Sequence, residues 1–338
     1  MKNCFLLFGV CILLGSCSTP ETPTAAQMLG GSSSALVYLN CRAVSQEEIE
    51  FTFSRPVTIT YINFEPKLEV DSVENGSTVK VRLKERSGAG RLITTDILAE
   101  DEKRNTINVL ASFRTRNDRM PDLVINEICT ESANAAAGKK EEFIEFKTKT
   151  AGNLGAMRVI INSNSNAAKQ TIYEFSPVEV KKDEYMVLHL RTYNSASRDE
   201  YTNALDESVG INASPTARDF WIPGETKLLH KTAMIYVLDQ DDRVIDAVIL
   251  SENQDNWWTK DYFAETAEFL FDAGAWKSQD GSVCGPKDAV TSGKATNTRT
   301  ICRDETIVNK TGTAKDWYIT DTSCASPGRL NNPKRYLK

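Results

Sequence analysis

The chain has 338 residues, with 40 Lys and Arg against 46 Asp and Glu, a formal net charge of −6. That balance argues against nucleic acid or an anionic lipid surface as partner, because phosphate binding needs clustered cations. Two histidines and no CxxC spacing leave little material for a zinc centre.

The N-terminus sets the address. Lys2 is followed by an apolar run from Cys4 to Leu14 and then by small residues. The run is shorter than the roughly 20 residues a spanning helix needs, and it fits the core of a secretion signal. Leu14-Gly15-Ser16-Cys17 resembles the lipobox of bacterial lipoproteins. The resemblance implies a signal peptide over 1–16, acylation of Cys17 and a protein exported and held on a membrane without spanning it. The next stretch, 17–34, is small, polar and rich in Pro and Gly, and reads as a flexible tether.

Between 35 and 120 strand signals dominate: "ALVYLNCRAV", "EIEFTFS", "VTITYINF", "TVKVRLKE" and "INVLASFRT" are short runs rich in Val, Ile, Thr and aromatics. In "IEFTF" Ile49, Phe51 and Phe53 share one face, with Glu50 and Thr52 on the other. Asn75-Gly76 between two runs predicts a hairpin with a two-residue turn. Phe53, Ser54, Pro56 and Val57, with a later Asp101–Asn105 turn, resemble the bacterial Ig-like domains of surface-layer and adhesin type. Arg104 stands in that turn where the family usually has Gly.

Polar "RNDRMPD" marks a boundary, and a second domain is expected over 121–338. Its motifs resemble the lamin-tail family in order: "LVINEI", "EEFIEF", "NLGAMRVIIN", "YEFSPVEVKKDEYMVLHL", "AMIYVLDQDDRVIDAVIL" and finally "TRTICRDE" with "KDWYITDTSCASPGRLN". Asp183-Glu184 and Asp242 replace glycines usual in that family. The two resemblances together imply an all-β chain of two Ig-like sandwiches in tandem. A helical insertion is expected near 259–274, from Tyr262, Phe263, Thr266, Ala267, Leu270 and Phe271 at i, i+3, i+4 spacing, with Thr259 as cap and Gly274 as stop.

The search for chemistry yields little. Glu127, Glu142 and Glu145 lie in two apolar runs and either converge as an acid–base or metal cluster or are the polar positions of two paired strands. Alternation places Leu123, Ile125 and Glu127 on one face, with Val124, Asn126 and Ile128 on the other. With no histidine beside them, the strand reading is preferred, and Glu142 is the least constrained. His189, inside a strand, is expected to make a structural hydrogen bond, and His230 has no motif around it. The aspartates of "LDQDDRVID", Asp239 to Asp246, fail an EF-hand pattern because Val244 and Leu250 stand where Gly and Glu are required, so a hairpin turn is the better reading and Ca²⁺ the lesser one. Five cysteines fall outside the leader and anchor. Cys41 and Cys129 read as buried apolar side chains, and a Cys284–Cys302 disulfide is the bridge to look for.

These features lead to a non-enzymatic envelope lipoprotein with no cofactor, bound to the membrane through its acyl anchor and serving adhesion, scaffolding or interaction with a protein or glycan. The alternatives are a ligand-binding module using Trp221, Trp257, Trp258 and Trp276, or an accessory of an exported hydrolase system.

Overall fold

The computed structural model describes residues 35–135, 138–163 and 170–337. The leader, Cys17 and the tether lie outside the described residues. The chain is all-β and divides into two compact units. One holds the described residues through Ser87 together with Leu92–Arg114, and the other holds Gly88–Arg91 and Thr115 onward.

The first unit is built on one long strand. Its elements are β1 (Tyr38–Ala43), β2 (Glu48–Glu65), β3 (Val70–Glu74), β4 (Gly76–Leu83), β5 (Leu92–Asp101) and β6 (Thr106–Arg114), ordered β3-β4-β2-β5-β6 with β1 also on β2. The first half of β2 pairs with β1 and β4 and the second half with β5, so this 18-residue strand serves both halves of the sheet. Ile49, Phe51 and Phe53 are buried as their alternation requires, against Val79, Val81, Ile97 and Phe113. Burial of each such side chain contributes about 1.5–3 kcal/mol. The hairpin β3–β4 forms, but its turn is wider than the Asn-Gly pair predicts: Glu74 pairs with Lys80, and Gly76 pairs with Val57 of β2. The Asn75 side chain accepts a hydrogen bond from Ile59 N at 3.0 Å, tying the turn to β2.

The second unit is a two-sheet sandwich. Its elements are β7 (Leu123–Cys129), β8 (Ala133–Ala135), β9 (Gly138–Lys140), β10 (Phe143–Thr148), β11 (Gly152–Asn153), β12 (Arg158–Ser163), β13 (Gln170–Glu174), β14 (Glu179–Val180), β15 (Tyr185–His189), β16 (Ala217–Trp221), β17 (Ala233–Leu238), β18 (Val244–Ser251), α1 (Asp261–Asp272), β19 (Val290–Thr291), β20 (Ile301–Arg303) and β21 (Trp317–Ile319). One sheet runs β16-β15-β10-β7-β20-β21 and the other β13-β12-β17-β18-β19. Leu123, Ile125, Ile128, Ile144, Phe146 and Leu188 from the first meet Val159, Ile161, Ile235, Val237 and Val248 from the second.

Strand β7 departs from simple alternation. Glu145 pairs with Glu127 and Phe146 with Ile125, so Asn126 is the extra residue of a β-bulge. The bulge brings Ile125 and Ile128 into the same core, correcting the alternating assignment, and turns Glu127 to the opposite face beside Glu145.

Helix α1 packs Phe263, Ala267 and Leu270 inward. Its N-cap is Lys260, without a side-chain cap, so Thr259 does not play that part. Gly274 closes the helix in the left-handed region at φ 68, its N–H donating to Phe271 O. Of the five described non-glycine residues in the same region, three are Arg104 (φ 64), Asp183 (φ 63) and Asp242 (φ 62). These are the turns in which both resemblances led one to expect glycine.

Candidate functional site

The unusual part of the second unit is the face of the β16-β15-β10-β7-β20-β21 sheet turned away from the core. Such a face is normally solvated. Here Cys129, Phe143, Val187 and Ala217 form a separate apolar cluster on it, flanked on each side by buried ionisable groups.

On one side Glu127 and Glu145 oppose each other across β7 and β10, both fully buried. Thr300 Oγ1 donates to Glu127 Oε1 at 2.5 Å, and Ser326 donates its N–H to both Glu127 oxygens at 3.0 and 3.1 Å and its hydroxyl to Oε2. Asn126 Nδ2 donates to Glu145 Oε1 at 2.8 Å and Gly328 N–H to Oε2 at 2.6 Å. Burial raises both carboxyls above the ordinary glutamate range, Glu145 the more because it also faces Glu127. The Cys302 thiol opposite Glu127 is held protonated, first by burial and then by that carboxylate. Lys147, two residues beyond Glu145 on β10, is taken by Glu305 at 2.5 Å.

On the other side His189 is enclosed. Its Nε2 lies 2.8 Å from Asp219 Oδ1 and its Nδ1 3.0 Å from Glu141 Oε1, and Trp221 stacks on the ring at 3.8 Å. Burial lowers the imidazole pKa, but the two carboxylates together outweigh it and the net direction is up. The expected structural hydrogen bond is the one to Asp219, and a second carboxylate, Glu141, stands at the other ring nitrogen.

Glu142 does not converge with the pair. It is fully buried and held by Arg191 Nη2 at 2.5 Å, which corrects its reading as the least constrained of the three. The aspartates of the β17–β18 turn also diverge. Asp239 Oδ1 accepts from Asp241 N and Arg243 N, Asp241 pairs with Arg116 at 2.6 Å, Asp242 pairs with Arg158, and Asp246 is buried against Arg303 at 2.6 Å.

The tryptophans do not assemble a binding face. Trp221 and Trp276 are buried, Trp258 is half-buried with its Nε1 donating to Cys284 O at 2.9 Å, and Trp257 alone of the four is exposed, at 83%. The core claims these rings for their large apolar area: Trp221 Nε1 also finds Ser208 Oγ, whereas Trp276 Nε1 is buried without a hydrogen-bond partner. The Cys284–Cys302 bridge is likewise absent, and Cys41, Cys129, Cys284, Cys302 and Cys324 are all free thiols. The reason is placement. Cys284 belongs to the core cluster with Trp276, whereas Cys302 faces Glu127 on the covered side of the sheet. Burial pushes the Cys129 and Cys284 thiols up to about 12.

Residues 121–319 match the model of the TP_1001_2nd family, described as a protein second domain. The chain belongs to that family. The matched span takes in β7 through β21, and with them the TP_1001_2nd strands that carry Glu127, Glu145 and His189. A Treponema pallidum (strain Nichols) protein described as "Uncharacterized protein" is 26% identical over 181 residues, 52% of this chain and 43% of that protein. The chain thus matches less than half the length of that relative. Among solved structures, the N-terminal part of the bacterial S-layer protein SbsC is similar at TM-score 0.24 and 14% identity, over 45% of this chain and 40% of that one. Domains 1–6 of the same protein give 0.24 and 13%, over 65% and 41%. Likeness of that degree carries no argument about this TP_1001_2nd member.

Proposed function

We propose that this chain is an exported lipoprotein, acylated at Cys17, whose two β units work as a non-catalytic interaction or scaffold module of the cell envelope, with a protein or glycan as partner. The supports are the Lys2, Cys4–Leu14 and Leu14–Cys17 pattern, the resemblance of 35–120 to Ig-like adhesin domains, and that of 123–331 to lamin-tail sandwiches. The observation that carries the non-catalytic part is the fate of the Glu127–Glu145 pair. All four carboxylate oxygens are engaged by Thr300, Ser326, Asn126 and Gly328 of the same fold, which leaves none to meet a substrate. A general base has to reach the proton it abstracts.

Two experiments test the proposal. Cys17→Ser should move the protein from the membrane to the soluble fraction; retention in the membrane would refute anchoring. The purified chain should show no esterase, phosphatase or nuclease turnover, and an activity abolished by Glu145→Gln would refute the non-catalytic reading.

A further inference from the structure

The loop 252–260, between β18 and α1, has a pinned backbone and uncommitted side chains. At its start Ser251 Oγ donates to Asn253 O at 2.6 Å and Glu252 N–H to Thr232 Oγ1 at 3.2 Å. Further on, Lys287 N–H donates to Asp255 O at 3.1 Å, and Trp258 Nε1 donates to Cys284 O at 2.9 Å. Gly285 lies so close that a Cβ there would stand 3.1 Å from Asn256 O. Trp258 packs on Phe263 of α1, with ring centroids 5.6 Å apart.

Trp257 stands among these anchors and shares none of them. Its indole is 83% exposed and makes neither a hydrogen bond nor a ring contact with the described residues. The side chains of Asn253, Asp255 and Asn256 are exposed too, and none has a hydrogen bond or ion pair with the described residues. Burying an indole removes about 150–250 Å² from water. Trp221, Trp258 and Trp276 obtain that gain in whole or in part, and Trp257, next in the chain to one of them, is held out in solvent.

We propose that this loop is a glycan-binding site, in which Trp257 is the platform for the C–H face of a pyranose ring and Asn253, Asp255 and Asn256 hydrogen-bond the hydroxyls of a neutral saccharide. Such a site is one form of the interaction module proposed above and rests on that reading. The face of an indole is negatively polarised and draws the C–H groups of a sugar. An amide offers two donors and an acceptor, and a carboxylate accepts, which matches hydroxyls that both give and take hydrogen bonds. The pinned backbone leaves little to be ordered on binding, so weak contacts are not cancelled by that cost.

Charge and surroundings favour this partner over others. Among the exposed residues of the loop and the segments at its two ends, Glu252, Asp255 and Asp261 outnumber Lys260 and Lys287. An acidic polysaccharide or an anionic lipid surface therefore meets like charge there. A protein hot spot is a desolvated centre ringed by further close contacts. Here the paired segment 283–287 adds one exposed apolar side chain, Val283, and the other neighbours of the indole in the chain are polar.

The test follows the indole N–H signals of the purified full chain by NMR, with the Trp257 signal assigned through Trp257→Phe. Cellohexaose, N-acetylchitohexaose, mannohexaose and xylohexaose are each added to about 10 mM, which saturates a site with a Kd of about 1 mM. At least one should shift the Trp257 signal saturably while those of Trp221 and Trp276 stay in place. Trp257→Ala should weaken calorimetric binding of that hexaose about tenfold or more, and hexagalacturonic acid should bind the unaltered chain about tenfold more weakly than the neutral sugar. No shift with any of the four hexaoses would overturn the proposal, while the lipoprotein reading would still stand or fall on Cys17→Ser. A shift caused by phosphatidylglycerol vesicles and by no hexaose would also overturn it, as would unchanged affinity in Trp257→Ala. The titration of the unaltered chain decides the matter even if a variant fails to fold.

Discussion

Arg303 stitches the two sheets of the second unit, and replacing it by Met tests how much that stitch contributes. Its Nε donates to Ile125 O at 2.7 Å and its Nη2 to Asp246 Oδ2 at 2.6 Å, and the same oxygen accepts from Ile125 N at 2.8 Å. Arg303 stands on β20 in one sheet and Asp246 on β18 in the other, and both are buried. Removing one partner of a buried pair costs about 3–5 kcal/mol. Lys310 still reaches Asp246 Oδ1 at 3.0 Å, from a half-exposed position, so the lower end, about 3 kcal/mol, is expected. At about 2–4 °C per kcal/mol for a unit of this size, the calorimetric transition should fall by about 6–12 °C. Arg303→Lys should recover only part, because an ammonium lacks the fork that spans a carbonyl and a carboxylate. Arg303→Met combined with Asp246→Leu should recover only part, because it removes the buried charge but takes the partners of the buried Ile125 N–H and carbonyl. An Arg303→Met transition within about 2 °C of the parent would refute the reasoning.

The tryptophans give a matched pair of outcomes: Trp276→Ala should cost about 3–5 kcal/mol in denaturant unfolding, and Trp257→Ala less than about 0.5 kcal/mol. Arg104→Gly removes a left-handed conformation from a side-chain-bearing residue and should stabilise by about 0.5–1 kcal/mol, read as a rise in the unfolding midpoint. His189→Gln should destabilise by about 3 kcal/mol at pH 6, where the parent imidazolium serves two buried acids. The gap should narrow by pH 9, because a raised folded-state value means that the parent loses this stabilisation as pH climbs above 6.5; a gap independent of pH would contradict a charged His189.

What could be read from the sequence was local. The alternation of Ile49, Phe51 and Phe53 predicted a buried face because a strand repeats every two residues. The glycine-like turns at Arg104, Asp183 and Asp242 were visible as departures from two family patterns, and the backbone keeps the left-handed conformation that those patterns demand. The preference for a structural Glu127–Glu145 pair rested on the absence of a histidine beside it. What escaped was non-local. A bulge at Asn126 has no composition of its own, and it alone decides that Glu127 faces Glu145 while Ile125 and Ile128 share the core. Within "KDWYITDTSCASPGRLN" nothing in the residues announces that Ser326 and Gly328 hydrogen-bond Glu127 and Glu145. For the same reason Trp221 stood among the candidate ligand-binding tryptophans although it stacks on His189.

The central claim is that Glu127 and Glu145 fasten the fold and see no solvent. A carboxyl carbon NMR titration of the two side chains in the purified full chain measures this directly. Two coupled transitions, with Glu145 well above 4.5 and Glu127 above it, are the predicted result. Independent transitions for both near 4.5 would contradict it, because they would mean that water and a substrate can reach the pair.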